Sequence, residues 1–287
     1  MEDNLTNRLQ QVVTDLGDEE NYPDFSDEEY ESYLNNNEDE EEIVDISEED
    51  MLKMLDAQEN PFITCSRLFR ADFDSIKLLN QDQVELFKKQ GYLIINDFIP
   101  HDLQIKAFEQ TRTLASTNMM QAAGSSKSDS DDPYRNNKAR TDLTTWLHHN
   151  EQDGALGELM QRHFSLLGAD LSTVIHLQKD WKDAEYQLAY YKGSQDTPGY
   201  YEKHRDAFPD DGSDASSHMS QRRVTAICYL NHNWSEKDGG QLRIWTNNGQ
   251  QDIDPVGGRL LLFLSGAVDH QVLSTNKERV ALTAWFS

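Results

Sequence analysis

His204, Asp206, His270 and Arg279 are the residues whose types and spacing suit chemistry together. Alone, His204-x-Asp206 says little, because a chain with nine histidines and many aspartates yields roughly one such pair by chance. Context raises its value. Both residues fall in the β-rich run Tyr201–Asp206, where a period of two puts alternate side chains on one face. His270 falls in a later run, Val268–Leu273. Two imidazoles and one carboxylate on one side of a metal leave the opposite positions open. That is the facial triad of non-haem Fe(II) sites, and nitrogen with hard oxygen suits Fe(II).

Arg279 follows nine residues after His270 and opens the last β-rich run. Alternation predicts Arg279, Ala281, Thr283 and Trp285 on one face, and Val280, Leu282, Ala284 and Phe286 on the other. A guanidinium turned inward beside Thr283 needs a buried anion to offset its lost hydration. A diacid with one end on the metal supplies that anion through a two-pronged contact. A single small molecule, 2-oxoglutarate, therefore accounts for both the triad and the arginine.

These side chains need a rigid frame, and the sequence supplies one. Asn80 followed by Gln83 reads as a helix start, Val84 and Phe87 share a face, and Gly91 suits a left-handed stop. Tyr92–Ile95 reads as a strand. A second helix is expected from about Asp102 with Phe108, Ala115 and Met119 along one side, and Ala123–Lys138 as a loop. A third helix is expected to carry Leu156, Leu159, Met160, Phe164 and Leu167 and to end at Gly168. From Tyr186 short β-rich runs alternate with turns: Tyr186–Tyr191, Tyr201–Asp206, Arg223–Asn231, Gln241–Trp245, Arg259–Leu264, Val268–Leu273 and Arg279–Phe286. The expected fold is α+β, mainly β: a sandwich or barrel-like core, 186–287, braced by helical support over 75–170.

The charge is lopsided. Of 52 acidic and 26 basic residues, residues 1–60 hold 22 and two, which leaves 30 against 24 for the rest. Residues 1–60 thus read as an acidic, disordered tail, with one apolar patch (Ile43 to Leu55) and a short helix expected near 47–57. Residues 61–287 read as the folded domain. The net charge of −26 repels phosphate backbones and anionic membranes, so neither nucleic acid nor a membrane is an expected partner. No run is long enough to span a bilayer, and the N-terminus lacks a signal pattern. Cys65 and Cys228 form no CxxC pair. A monomer of a reducing compartment, cytoplasmic or nuclear, is the expectation.

With these motifs in view, the sequence resembles the Fe(II)- and 2-oxoglutarate-dependent dioxygenases. Within them it resembles the prolyl 4-hydroxylases, above all the cytoplasmic oxygen-sensing type. The likeness runs from Leu79 to Ser287. It rests on Tyr191-Lys192-Gly193, Tyr201 to Asp206, Arg222 to Asn231, Gly239 to Arg243, Asp269 to Val272 and Arg279 to Phe286. Enzymes of that type act on hypoxia-inducible factor in animals and on the adaptor subunit of SCF ubiquitin ligases in some protists.

The resemblance implies a double-stranded β-helix, or jelly roll, with His204, Asp206 and His270 on the metal. It implies Arg279 and Tyr229 on the far carboxylate of 2-oxoglutarate, Tyr191 and Tyr201 lining the pocket, and Thr283 holding water. Arg222 and Trp285 would stand near the target proline. Arg140, Asp142 and Trp146 would belong to a mobile segment that covers the substrate. Fe(II), 2-oxoglutarate and O2 would be used, with ascorbate as reductant, to place a hydroxyl on proline C4 of an intracellular protein. Oxygen-limited turnover, hence oxygen sensing, would follow. Departures fall where substrate is recognised. Gly193 to His204 is a few residues longer than in the animal sensors, Ala207–Gln221 is expanded, and Thr141 stands in place of a glycine. The competing expectation is a catalytically silent sensor or scaffold that binds 2-oxoglutarate on the same fold.

Overall fold

A computed structural model describes residues 60–73, 76–123, 139–149, 153–212 and 222–287. The acidic segment, its apolar patch and the helix expected near 47–57 lie outside the described residues, as does nearly all of the loop expected at Ala123–Lys138.

Eleven strands follow one another among the described residues: β1 (Tyr92–Ile95), β2 (Gln121–Ala122), β3 (Leu143–Leu147), β4 (Glu185–Tyr191), β5 (Gly199–His204), β6 (Val224–Tyr229), β7 (Leu242–Thr246), β8 (Gly249–Ile253), β9 (Leu260–Leu264), β10 (Asp269–Thr275) and β11 (Arg279–Phe286). They form a seven-stranded sheet in the order β1-β9-β6-β11-β4-β3-β2 and a four-stranded sheet in the order β5-β10-β7-β8. Every named pairing is antiparallel.

The alternation expected of the last strand organises both layers. β11 lies between β4 and β6, so both its edges are hydrogen-bonded, and its two faces enter different cores. Ala281 packs with Tyr191, Ile227, Phe263, Leu242, Ile244 and Val272 in the core between the two sheets. Val280, Leu282, Ala284 and Phe286 face the other way, into a core shared with the helices. The result is a double-stranded β-helix, mainly β, with helices bracing the outer face of the larger sheet.

Five α-helices supply that brace: α1 (Pro61–Ser66), α2 (Gln81–Gln90), α3 (His101–Ser116), α4 (Gly154–Glu158) and α5 (Ser165–Val174). α2 follows its sequence closely. Asn80 accepts from the Gln83 backbone N–H at 2.9 Å while the Gln83 side chain accepts from the Asn80 N–H at 3.0 Å. This is a reciprocal capping box, and Gly91 closes the helix at φ 77°. α3 buries Leu103, Ala107 and Phe108 but stops at Ser116. Met119 therefore lies beyond the helix and is 63% exposed, against the expectation that it shares the apolar side.

The third expected helix does not end at Gly168. A π-helical segment, Leu159–Phe164, joins α4 to α5, and the chain stays helical to Val174. Gly168 is an interior position at which two aromatic side chains come close. A Cβ there would lie 2.9 Å from Phe286 and 3.0 Å from Trp181. The missing side chain makes room for a neighbour rather than ending a helix. Three strands are also absent from the sequence expectation: β2, β3 and β8. β8 is Gly-Gln-Gln-Asp-Ile, exposed until Ile253, so it shows no apolar alternation. β3 carries Trp146 within a strand paired to β4, where the sequence suggested a covering loop.

Gly168→Ala separates the two roles of that glycine. Alanine favours a helix by about 1 kcal/mol over glycine. Overpacking against Phe286 and Trp181 costs about 1–3 kcal/mol. A net loss of stability is expected, read as a lower urea midpoint at unchanged slope; a higher midpoint would show that Phe286 and Trp181 yield freely.

Candidate active site

Strand register brings the two histidines together. His204 is the last residue of β5 and stands directly opposite His270 of β10, with ring centroids 4.1 Å apart. Asp206 lies two residues past the end of β5, off the strand that the sequence suggested for it. Leaving the strand lets its carboxylate turn back toward both rings. Asp206 Oδ1 is 3.8 Å from His204 Nε2 and 3.7 Å from His270 Nε2.

The outer contacts decide which atoms face inward. His204 Nδ1 is 2.8 Å from the Glu202 carbonyl, and His270 Nδ1 is 3.3 Å from that of Val268. A carbonyl only accepts, so each Nδ1 carries a hydrogen, and in the neutral ring Nε2 is the nitrogen left with a lone pair. Asp206 Oδ2 accepts from the Thr225 hydroxyl at 2.7 Å and from the Trp285 indole N–H at 2.9 Å. Only Oδ1 then remains for the centre. Burial, with the neighbouring His270, pushes His204 down to about 4, so its imidazole is neutral at physiological pH. Burial alone would raise Asp206; His270, the Trp285 N–H, His204 and the Thr225 hydroxyl outweigh it and hold the carboxyl below its ordinary range.

With both rings neutral, three electron-rich atoms converge. They lie within 4.8 Å of one another and are the only such cluster of His, Cys, Asp or Glu among the described residues. A divalent cation resolves this repulsion, and two imidazoles plus one carboxylate suit Fe(II) with positions left open. The residues fit the metal.

Arg279, at the head of β11, is 3% exposed, and its Nε donates to the Gly240 carbonyl at 2.8 Å. Gly240 sits at φ 77°, and a Cβ there would approach Arg279 Cδ to 3.0 Å, so glycine leaves room for the arginine stem. The guanidinium carbon is 5.3 Å from the ring centres of both Tyr191 and Tyr229. No carboxylate lies within ion-pair distance of Arg279 among the described residues. The Tyr229 hydroxyl is buried with no hydrogen-bond partner among the described residues, and burial pushes its pKa up to about 12. A buried cation beside an orphaned donor is a costly arrangement unless an anion completes it. The carboxylate of a small diacid fits.

A cavity of about 220 Å³ joins the two halves. Eleven of the thirteen residues singled out in the sequence line it: Arg140, Trp146, Tyr191, Tyr201, His204, Asp206, Arg222, His270, Arg279, Thr283 and Trp285. Tyr229 lies behind Arg279, and Asp142 lies behind Arg140, fully buried and paired with it. Arg222 lies over the Trp285 ring at 4.0 Å and pairs with Glu185 at 2.8 Å; Trp146 is 5.7 Å from Trp285 and half exposed. Sequence reasoning missed Thr225, Gln187 and the Gly240 carbonyl. Gln187 lies in an alternation that marks its face, but nothing local announced the other two.

Thr225→Val keeps the shape of the site and removes one hydrogen bond from Asp206 Oδ2. Loss of such an outer contact costs about 10-fold or more in metal affinity. Equilibrium dialysis of apoprotein against Mn(II) should show that loss with the fold retained; unchanged affinity would mean that Asp206 is held without Thr225.

Comparison with known proteins agrees with this geometry. Residues 186–287 match the model of the 2OG-Fe(II) oxygenase superfamily. A Pseudomonas putida prolyl-4-hydroxylase is 28% identical, with 71% of this chain and 96% of that one covered, at a TM-score of 0.56. A Trichoplax adhaerens prolyl hydroxylase, solved in complex with a peptide fragment of the hypoxia inducible factor oxygen degradation domain, is 26% identical over 71% of this chain and 86% of that one, at 0.55. A Phytophthora capsici prolyl 4-hydroxylase structure shares the fold at 21% identity, 76% and 69% coverage and 0.51. Residues 186–287 thus match the 2OG-Fe(II) oxygenase superfamily, for which Fe(II) is the cofactor and 2-oxoglutarate and O2 are the cosubstrates, and the chain is similar in structure to prolyl hydroxylases.

Proposed function

We propose that this protein is a prolyl 4-hydroxylase acting on a proline within an intracellular protein. One observation carries the reading: the complete His204, Asp206 and His270 donor set shares a cavity with a buried Arg279 that no carboxylate of the described residues pairs. The likeness, above 25% identity, to two prolyl hydroxylases supports the choice of proline, and the peptide held by one of them supports a polypeptide substrate.

Each residue then has a task. His204 Nε2, His270 Nε2 and Asp206 Oδ1 hold Fe(II), and Thr225 and Trp285 keep Asp206 aimed. Arg279 and the Tyr229 hydroxyl bind the far carboxylate of 2-oxoglutarate, while Tyr191 and Thr283 line its path. Bound Fe(II) supplies the oxygen chemistry, in which 2-oxoglutarate and O2 give succinate, carbon dioxide and a hydroxylated product. Trp146, Trp285 and Arg222 frame the mouth, with Arg140 and Asp142 at its edge. Aromatic walls suit the apolar face of a pyrrolidine ring, and the low-dielectric interior keeps water from competing. A full donor set favours turnover over the silent sensor. The expected substrate is a hypoxia-inducible-factor-like protein or an SCF adaptor, with ascorbate as reductant, in the cytoplasm or nucleus, and with oxygen-limited turnover.

The test incubates the full chain with Fe(II), 2-oxoglutarate, O2 and proline-containing peptides. Hydroxyproline by mass spectrometry, with matching succinate, is expected; His204→Ala should abolish both. Arg279→Gln removes a charge-assisted contact of about 1.5–3 kcal/mol, so KM for 2-oxoglutarate should rise about 10- to 100-fold. Succinate formation coupled to a substrate other than proline would overturn the substrate, and no succinate under any condition would overturn the enzyme.

A further inference from the structure

The two histidines of the triad are held unequally. His270 has a 5% exposed side chain and packs against Phe263, ring centres 4.8 Å apart. His204 closes its strand with its side chain 22% exposed, held by one Nδ1 contact and flanked on one side by His270. Its other side is covered from outside the triad.

Tyr201 stacks on His204 with ring centres 3.7 Å apart and planes 20° from parallel. Arg140 lies over Tyr201 with its guanidinium carbon 4.1 Å from the ring centre. Two groups that close to one ring must occupy its opposite faces, so the order is guanidinium, phenol, imidazole. Arg140 is itself fixed. Its Nε and Nη2 donate to Asp142 at 2.7 and 2.6 Å, the Asp142 side chain is fully buried, and Nη2 also reaches Gln187 Oε1 at 3.3 Å. The backbone is fastened to β5 as well: Glu202 N–H donates to Ala139 at 2.8 Å, Thr141 N–H to Tyr200 at 3.1 Å, and Tyr200 N–H to the Thr141 hydroxyl at 2.9 Å.

We propose that Arg140 and Tyr201 form a clamp that sets the His204 imidazole in its metal-ligating orientation before metal arrives. Both are positioning residues: neither belongs to the three converging ligands, and each acts through the ring next to it. The clamp rests on the reading of His204 as a metal ligand and deepens it. Its chemistry is that of a planar cation on an aromatic face, with that face on an imidazole. The segment 139–141 is thereby tied to the metal centre, and Asp142 and Gln187 become parts of the metal site at one remove.

Titration of full-chain apoprotein with Co(II), followed by its visible ligand-field spectrum, tests this without turnover. Tyr201→Phe keeps the stack and should bind Co(II) within about twofold of wild type with the same spectrum. Tyr201→Leu should weaken binding about 10-fold and alter the spectrum. Arg140→Lys leaves a cation near Asp142 but removes the flat guanidinium and its two-pronged contact, and should weaken binding several-fold in a protein that still folds, though with a lower melting temperature. It decides the matter if Tyr201→Leu does not fold. Wild-type affinity and spectrum in Tyr201→Leu or Arg140→Lys, while His204→Ala loses binding, would overturn the clamp and leave the metal site standing. Wild-type binding by His204→Ala would overturn the metal assignment, and the clamp with it.

Discussion

Two imidazole nitrogens and one carboxylate oxygen point their electron pairs at a common centre, and this is the constraint on which the structure depends. Apart, each is an ordinary polar group. At 3.7–3.8 Å, with both rings neutral, they repel unless a cation intervenes. The fold imposes that proximity. The β5–β10 register sets His204 against His270, and Asp206 escapes the strand so that its carboxylate can turn back. The backbone carbonyls of Glu202 and Val268 choose the tautomer, which turns geometry into metal-binding capacity.

The same logic of enforced incompleteness recurs at Arg279. A buried guanidinium and a buried phenol hydroxyl are held beside one another, without a carboxylate of the described chain to answer them. Unmet donors of this kind cost a few kcal/mol each, so a site that keeps them is built around an anion brought from outside. The chain thus presents one opening for a cation and one for an anion within a single cavity. A small diacid bridges the two. Helices on the far face of the larger sheet keep that arrangement rigid by burying Val280, Leu282, Ala284 and Phe286, the reverse side of the strand that carries Arg279.

Much of this was legible in the residues, and where it was not the reason is physical. Alternation along Arg279–Phe286 marks both faces correctly because that strand is central and buried on each side. The capping box at Asn80 and the left-handed stop at Gly91 are local, so α2 reads true. Gly168 misleads because the same absence of a Cβ serves a helix end and a close aromatic contact, and only tertiary structure distinguishes them. Strand β8 hides because its exposed face and its ladder partners leave no apolar period. Thr225 and the Gly240 carbonyl act across the fold, on Asp206 and Arg279, through contacts that leave no mark in local sequence. Arg140 and Trp146 belong to ordered pairings with β5 and β4, since a residue's type does not say whether its neighbours hold it.

The most direct test of the central claim is a crystal structure of the protein grown anaerobically with Mn(II) and 2-oxoglutarate. The account predicts one anomalous peak bonded to His204 Nε2, His270 Nε2 and Asp206 Oδ1, and a diacid whose free carboxylate meets Arg279 and the Tyr229 hydroxyl. Metal bound elsewhere, or Asp206 turned from the two rings with the diacid absent from Arg279, would contradict it.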